Sequence, residues 1–362
     1  MATIKSIFGV YAENLQLVID NSLDQFAPTN FQNYMTWGAP SPVLTFESAI
    51  GRSRIEAAAS IVNRDSASPL RSRAGLDKLT GEVPAIKEKI KLSESDMRNY
   101  LVLQSMNIPD ATKKQQLLDL LFGDVKIVGG AAMKRLDYMF LEGLSTGQVT
   151  VTYDNNPDGA VATQTIDLLM AAANKKTSSV TWDNADTTLP KPITDIGAVV
   201  EDATARGIKF AKILMTRAIW LKFIKTKEVV DSLTGFLGLS KGTVTVTLTR
   251  VNEFLTETGY PVIELVDNNV IGVEKDGVIS TKQPFIDASV VFIPGGSLGT
   301  IKVAVAIEEL KPAKNLTYGK YNNALISKWQ ETEPWAEFTK VELNAFPAFE
   351  AIDQTYILTA IH

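Results

Sequence analysis

One stretch of the sequence, residues 113–144, constrains the fold more than any other. Its apolar side chains recur at steps of three and four residues, which places them on one side of a helix. The residues on that side are Leu117, Leu121, Val125, Val128, Ala132, Leu136 and Met139. Thr112 is a suitable N-cap, and Gly143 and Gly147 provide a stop. The sequence therefore predicts a long helix over residues 112–145, the spine helix, along which the other elements lie. Periodicity alone favours the alternative of an ordinary core helix.

Two residue types limit the chemistry that this chain of 362 residues can perform. Cysteine is absent, and the only histidine is the last residue, His362. Disulfides, Cys-based zinc sites and thiol nucleophiles are therefore excluded, and a Ser-His-Asp triad would depend on a chain terminus. The net charge of −5 gives the chain no overall attraction for nucleic acid. No apolar run reaches transmembrane length and the N-terminus is not a secretion signal, so we expect no membrane association.

Residues 44–92 differ from the rest of the chain in charge. Between Arg52 and Lys91 there are nine Lys or Arg against five Asp or Glu, a net charge of +4 on a chain of −5. The length and polarity of this segment predict a projecting extended loop that docks on acidic neighbours. A flexible surface loop and a phosphate-binding patch remain as alternatives. Base stacking is unsupported, because no aromatic residue falls between the two ends.

The first 43 residues predict an N-terminal arm. A helical pattern is followed by a segment with prolines at positions 28, 40 and 42 and with aromatic residues among them, which include Phe31, Tyr34 and Trp37. An arm that cannot bury its own aromatic side chains needs a surface to lie on. We therefore expect these three side chains to act as anchors.

The remainder predicts alternating helices and strands. Patterning favours a helix over residues 93–107, a hairpin from 148–153 and 160–166, a helix over 195–206, a strand over 210–215 and one helix over 217–233. A strand, a tight turn at residues 274–277 and another strand follow, then a strand over 301–308 and closing strands near the C-terminus. Helices flanking a sheet within residues 195–233 indicate an α/β unit.

Three patterns resemble catalytic or metal sites, and for each we favour a structural alternative. Gly295–Gly299 matches the G-x-S-x-G nucleophile motif, but a strand rather than a helix is expected after it. Residues 154–159 match the first half of a calcium loop, but Thr165 occupies the position of the bidentate acid. Three carboxylates that could pair for acid–base chemistry lie in what reads as a solvated loop, namely Asp183, Asp186 and Asp195. We therefore assign no catalytic, cofactor-binding or metal-binding residue.

Several segments in this order resemble the major capsid proteins of tailed bacteriophages, in the lambda-like major capsid protein E family with the Hong Kong 97-type fold. The segments that resemble the family are SASPLRSRAGLDKLTGEVPAIKEKIKLSE, DIGAVVEDATARGIKFAKILMTRAIWLKFIKT, GYPVIELVDNNV with VVFIPGGSLGT, and PWAEFTKVELNAFPAFEAIDQTYILTAI. The resemblance implies an α+β fold whose peripheral domain combines the spine helix with β strands, beside an axial α/β domain. The parts would be the N-terminal arm (1–43), the extended loop (44–92), the peripheral domain (93–190 and 309–362) and the axial domain (191–308).

The resemblance also implies a function. Subunits would form the pentamers and hexamers of an icosahedral shell that encloses double-stranded DNA without reading its sequence. Scaffolding, portal and decoration proteins would be further partners, with assembly in the bacterial host cytoplasm; an encapsulin-like protein compartment is the alternative. Such a shell needs no enzyme activity and no cofactor. The expected inter-subunit contact residues are Arg64, Arg71, Arg73, Lys78, Phe31, Tyr34 and Trp37.

Overall fold

The structure is a computed structural model. It describes residues 15, 16, 19, 28–50, 77–105, 110–157, 159, 164–238, 245–267 and 269–362. In the first two helices the side chains of residues 99–101, 103–105 and 110–122 lie outside this description. The charged candidates Arg64, Arg71 and Arg73 are also outside the described residues, whereas Lys78 and the three aromatic candidates are inside them.

The fold mixes helices and strands throughout its length. The helices are α1 (Glu94–Ser105), α2 (Asp110–Thr146), α3 (Pro192–Ala205), α4 (Arg217–Phe223), α5 (Lys227–Phe236), α6 (Leu248–Glu257) and α7 (Ile307–Leu310). The strands are β1 (Met35–Trp37), β2 (Thr45–Ile50), β3 (Asp77–Glu82), β4 (Ala85–Ser93), β5 (Gln148–Val151), β6 (Gln164–Asp167), β7 (Lys175–Thr177), β8 (Phe210–Met215), β9 (Val262–Leu265), β10 (Ile271–Lys275), β11 (Val278–Lys282), β12 (Ser289–Pro294), β13 (Gly299–Ala304), β14 (Thr317–Tyr321), β15 (Ala324–Thr332), β16 (Trp335–Phe349) and β17 (Tyr356–Thr359).

The spine helix is α2, which is 37 residues long and so spans roughly 55 Å at 1.5 Å per residue. One side of it is buried, as its periodicity predicts: Val128 and Leu136 have no exposed surface. The opposite side faces solvent, where the Ile127 side chain is 59% exposed. Gly143 allows close packing of the helix, because a Cβ there would lie 2.9 Å from side-chain atoms of both Leu168 and Phe349.

A six-stranded sheet packs against the spine helix. Its strands run in the order β1-β13-β16-β15-β14, and β4 pairs with the second edge of β16. The long strand β16 is therefore the centre of the sheet, with antiparallel partners on both sides. Apolar residues of β16 and of the spine helix both belong to the larger of two hydrophobic cores.

A five-stranded sheet, in the order β7-β17-β12-β8-β9, carries the second core together with α3, α4, α5 and α6. The ranges expected for the peripheral and axial domains each contribute strands to both sheets. Strand β13, which falls in the range expected for the axial domain, pairs with β16 in the six-stranded sheet. Strand β17, in the range expected for the peripheral domain, pairs with β12 in the five-stranded sheet. The division into named domains otherwise stays a prediction.

Three local expectations were wrong in detail. Residues 217–233 form two helices, α4 and α5, rather than one. The strand expected over 301–308 ends at Ala304, and the short helix α7 follows it. The turn at residues 274–277 joins β10 to β11, a hairpin between the two expected strands. The hairpin β5–β6 and the strand β8 were predicted correctly. Helix α4 is capped at its N-terminus by Thr216, whose hydroxyl accepts from the Ile219 N–H.

Candidate subunit-contact surfaces

The arm is fixed to the spine helix by a buried carboxylate. Asp137 Oδ1 accepts a hydrogen bond from the Phe31 backbone N–H at 2.8 Å, and its Oδ2 accepts one from Asn30 Nδ2 at 3.1 Å. Burial raises the pKa of Asp137, and the hydrogen bonds from Phe31 and Asn30 oppose this rise. Beyond the anchor, β1 pairs in parallel with β13 at the edge of the large sheet.

Tyr34 connects the arm to both cores. Its ring stacks on Phe140 of the spine helix at a centroid distance of 5.9 Å. Its hydroxyl donates to Glu264 Oε1 at 2.7 Å, and Lys212 Nζ lies 2.6 Å from Glu264 Oε2. Burial, followed by the hydrogen bond and the charge of Glu264, raises the pKa of Tyr34. The phenol is therefore a neutral donor that joins the arm to strands β8 and β9.

The described part of the range expected for the extended loop is the antiparallel pair β2–β3 at its base, together with β4. Strand β4 was expected in the loop but pairs with β16 in the six-stranded sheet, so the loop ends before Ala85. Glu350, at the end of β16, holds this base against the sheet: its Oε1 accepts from the Ser48 hydroxyl at 3.2 Å and from the Thr300 hydroxyl at 2.7 Å. Lys302 Nζ lies 3.1 Å from the same oxygen. The base of the extended loop therefore has a fixed position on the large sheet.

The candidate contact residues have different environments. Phe31 is completely buried within its own chain, so Tyr34 and Trp37, which are partly exposed, are the two aromatic candidates with surface to offer to a neighbour. Lys78 is exposed and pairs across β2–β3 with Glu47, its Nζ 2.9 Å from Glu47 Oε2. The assignment of all seven residues to subunit contacts stays a prediction.

Sequence reasoning missed the acidic groups that hold these segments, namely Asp137, Glu264 and Glu350. Each acts on a residue more than 100 positions away along the chain. A single sequence carries no local pattern for such pairings. The one available signal is an isolated acid within an apolar run, as at Asp137 between Leu136 and Tyr138.

Glu142, one turn beyond the Tyr138 position on the spine helix, is a partly buried acid at the junction with hairpin β5–β6. Its Oε2 accepts the Thr150 N–H at 3.1 Å. Burial raises the pKa of Glu142 to about 7, and the opposing effects of the Thr150 N–H and of the Arg135 charge are smaller. This group therefore changes its charge in the folded protein near neutral pH.

We expect this raised pKa to make the protein less stable as the pH rises from about 4.5 to about 7. In that range the unfolded chain has already lost the Glu142 proton while the folded chain still holds it, so the folded state binds more protons and loses stability as the pH increases. Glu142→Gln should flatten this part of the profile. The check is the difference in Tm between pH 5 and pH 8 for both proteins; equal slopes would contradict the assignment.

Residues from two of the three patterns that resembled catalytic or metal sites make structural hydrogen bonds. Residues Gly295–Gly299 link strand β12 to strand β13, and the Ser297 hydroxyl donates to the Gly299 carbonyl at 2.8 Å. The expectation that Asp195 lies in a solvated loop was wrong: it is buried in the first turn of α3 and accepts hydrogen bonds from Ser179 and from the Trp182 indole, the latter at 3.0 Å. Within the described ranges no three His, Cys, Asp or Glu side chains gather in a way that could hold a metal ion. None of the helices searched there is long and apolar enough to cross a membrane.

This architecture, a spine helix on a six-stranded sheet beside a second α/β core, is that of Hong Kong 97-like phage capsid proteins. The structure of a protein described as a prophage capsid protein from Escherichia coli matches over 100% of both chains, with a TM-score of 0.57 and 14% identity. A phage-related protein from Bordetella bronchiseptica matches over 95% of this chain and 96% of its own, with a TM-score of 0.51 and 9% identity. These identities establish the fold alone.

The family follows from the sequence itself. Residues 21–360 match the model of the family described as phage major capsid protein E, and the chain therefore belongs to that family. No curated protein sequence matches the chain. The family is one of structural capsid components and not a class of enzymes.

Proposed function

We propose that the chain assembles with copies of itself, as pentamers and hexamers, into an icosahedral shell that encloses phage double-stranded DNA. The observation that carries this proposal is the match of residues 21–360 to a phage major capsid protein family. Specificity in such a shell depends on self-complementary surfaces rather than on a reactive site. Scaffolding, portal and decoration proteins would act on the same shell, with assembly in the host cytoplasm.

The extended loop gives this proposal its electrostatic basis. The segment from Arg52 to Lys91 carries a net charge of +4 on a chain whose total is −5, so the remainder carries −9. Oppositely charged surfaces steer association and fix its register. Glu350 fixes the base of the loop, and three basic residues of the segment, Lys87, Lys89 and Lys91, lie on β4 in the six-stranded sheet. The remaining basic residues of the segment would meet the neighbouring subunit.

The arm supplies a second contact. Tyr34 and Trp37 are partly exposed although their arm is anchored by Asp137. An anchored arm presents its surface to a neighbour without the entropic cost of ordering a free segment. The arm and the loop would together make the large interfaces that permanent assemblies need.

Electron microscopy of the purified protein, combined with a nuclease-protection assay on the same sample, tests the proposal. Icosahedral shells tens of nanometres across that protect DNA are the expected result when the protein is purified from cells that package the genome. Shells that copurify with protein cargo in place of DNA would support an encapsulin-like compartment. A discrete monomer or dimer under all assembly conditions would contradict the proposal.

A further inference from the structure

Strands β10 and β11 form a hairpin that belongs to neither large sheet. Asp276 and Gly277 make the two-residue turn, both with positive φ, at 51° and 78°. Two positive φ values are the signature of a type I′ turn, whose twist matches that of antiparallel strands. A two-stranded sheet standing alone in water is only marginally stable, so this hairpin needs further packing.

The body of the protein supports one strand of the hairpin more than the other. Ile271 and Val273 of β10 are buried. At the two ends, Lys282 Nζ lies 2.5 Å from Asp154 Oδ2, and Lys275 Nζ lies 4.3 Å from the centre of the Tyr153 ring. These contacts fix the position of the hairpin against the loop of β5–β6.

Strand β11 projects from the protein with apolar side chains in solvent. The Val278 side chain is 70% exposed and the Ile279 side chain is 67% exposed, and Ser280 and Thr281 are exposed beside them. Gly272, which pairs with Thr281 on the neighbouring strand, leaves room for Ile279, since a Cβ there would lie 2.9 Å from Ile279 Cγ2. An exposed strand of β-branched residues is a template for pairing with another strand.

The outer edge of β11 has unused backbone groups. The pair that closes a two-residue hairpin turn, here Lys275 with Val278, is hydrogen-bonded. Along the two strands, hydrogen-bonded pairs then alternate with pairs that are not hydrogen-bonded. Ile279 and Thr281 therefore direct their N–H and C=O groups away from β10. In the sheets formed by the described residues, no strand pairs with this edge.

We propose that β11 pairs with β11 of a second copy, antiparallel, about a two-fold axis through Ser280. Ile279 then faces the partner's Thr281, and the two exchange the unused backbone hydrogen bonds. Val278 faces the partner's Lys282, so the register opposes no two like charges. The two hairpins become one four-stranded sheet.

A second copy is the occupant that fits this edge because the strand is complementary to itself in that register, as a two-fold contact requires. An icosahedral shell contains two-fold axes at which identical surfaces meet. The inference rests on the proposed function and adds to it the surface through which two subunits pair.

The absence of cysteine makes a direct test possible. In the Ser280→Cys variant, the introduced cysteine is the only one in each chain, and it would face the same cysteine of the second copy. The two form a non-hydrogen-bonded pair, in which the Cα atoms are about 4.5 Å apart. That separation permits a disulfide. Oxidised particles should therefore yield a covalent dimer on a non-reducing gel, at least tenfold more than a matched control, with Tm and particle yield as in the wild type.

The control is Ile279→Cys, one residue away on the same exposed strand. In the proposed register its Cα lies about 8 Å from that of the partner's Ile279, beyond the reach of a disulfide at about 7 Å. Particles that form without the Ser280→Cys dimer, or that crosslink both variants equally, would overturn the pairing. If the wild type forms no particles at all, the proposed function fails and the pairing fails with it.

Discussion

Leu136→Asp is expected to prevent folding of the subunit. Leu136 has no exposed surface and lies on the buried side of the spine helix, within the larger core. An uncompensated buried charge costs about 3 to 5 kcal/mol, and the lost packing of a buried leucine adds about 2 kcal/mol or more. A typical folded protein has about 5 to 15 kcal/mol of stability in total. The variant should be insoluble, or should lack a cooperative thermal transition measured by circular dichroism.

The same helix provides a matched control. Ile127 is 59% exposed on the solvent side of the helix, so Ile127→Asp places the same charge in the same element without burying it. Substitutions at such surface positions usually change stability by less than about 0.5 kcal/mol. The control should melt like the wild type. A soluble Leu136→Asp protein with unchanged melting would show that the spine helix does not pack as described.

The spine helix was predictable because its information is local. In residues 113–144 the apolar side chains recur every three or four residues, and the structure has a helix there. The break between α4 and α5 was not visible in the same way, since apolar residues continue on both sides of it, at Phe223 and Val229. At the break the Thr226 hydroxyl donates to the Phe223 carbonyl at 2.8 Å. A side-chain hydrogen bond of this kind competes with the backbone hydrogen bonds of a helix, and it does not change the spacing of the apolar residues.

The contact surfaces were less predictable than the elements. The sequence indicated that the arm carries aromatic anchors, but only the fold shows that Phe31 is buried in its own chain while Tyr34 reaches Glu264. The exposed edge of β11 was missed for a related reason. Val278 and Ile279 are of the residue types that buried strands favour, and their exposure depends on where the hairpin lies on the protein. Exposure is a property of the tertiary fold, so patterning within β11 could not reveal it.

Reversing two charges of the extended loop, with Arg71→Glu and Arg73→Glu together, is expected to abolish particles while the subunit stays folded. The segment from Arg52 to Lys91 would change from a net charge of +4 to neutral, and the contact with acidic neighbours would lose its electrostatic complementarity. Both residues lie outside the described residues, so the argument depends on charge alone. The measurement is particle yield by electron microscopy, with circular dichroism of the unassembled subunit.

The control carries the same change in total charge at another place. Lys311→Glu with Lys314→Glu alters two exposed residues that follow α7, outside the loop, and should leave at least ten times more particles than the loop variant. Wild-type assembly should also weaken at high salt, because the Debye length falls from about 10 Å at 0.1 M to about 3 Å at 1 M. Normal particle yield from the loop variant would remove the loop from the assembly contact. Equal loss in both variants would show that total charge, rather than the position of the basic segment, governs assembly.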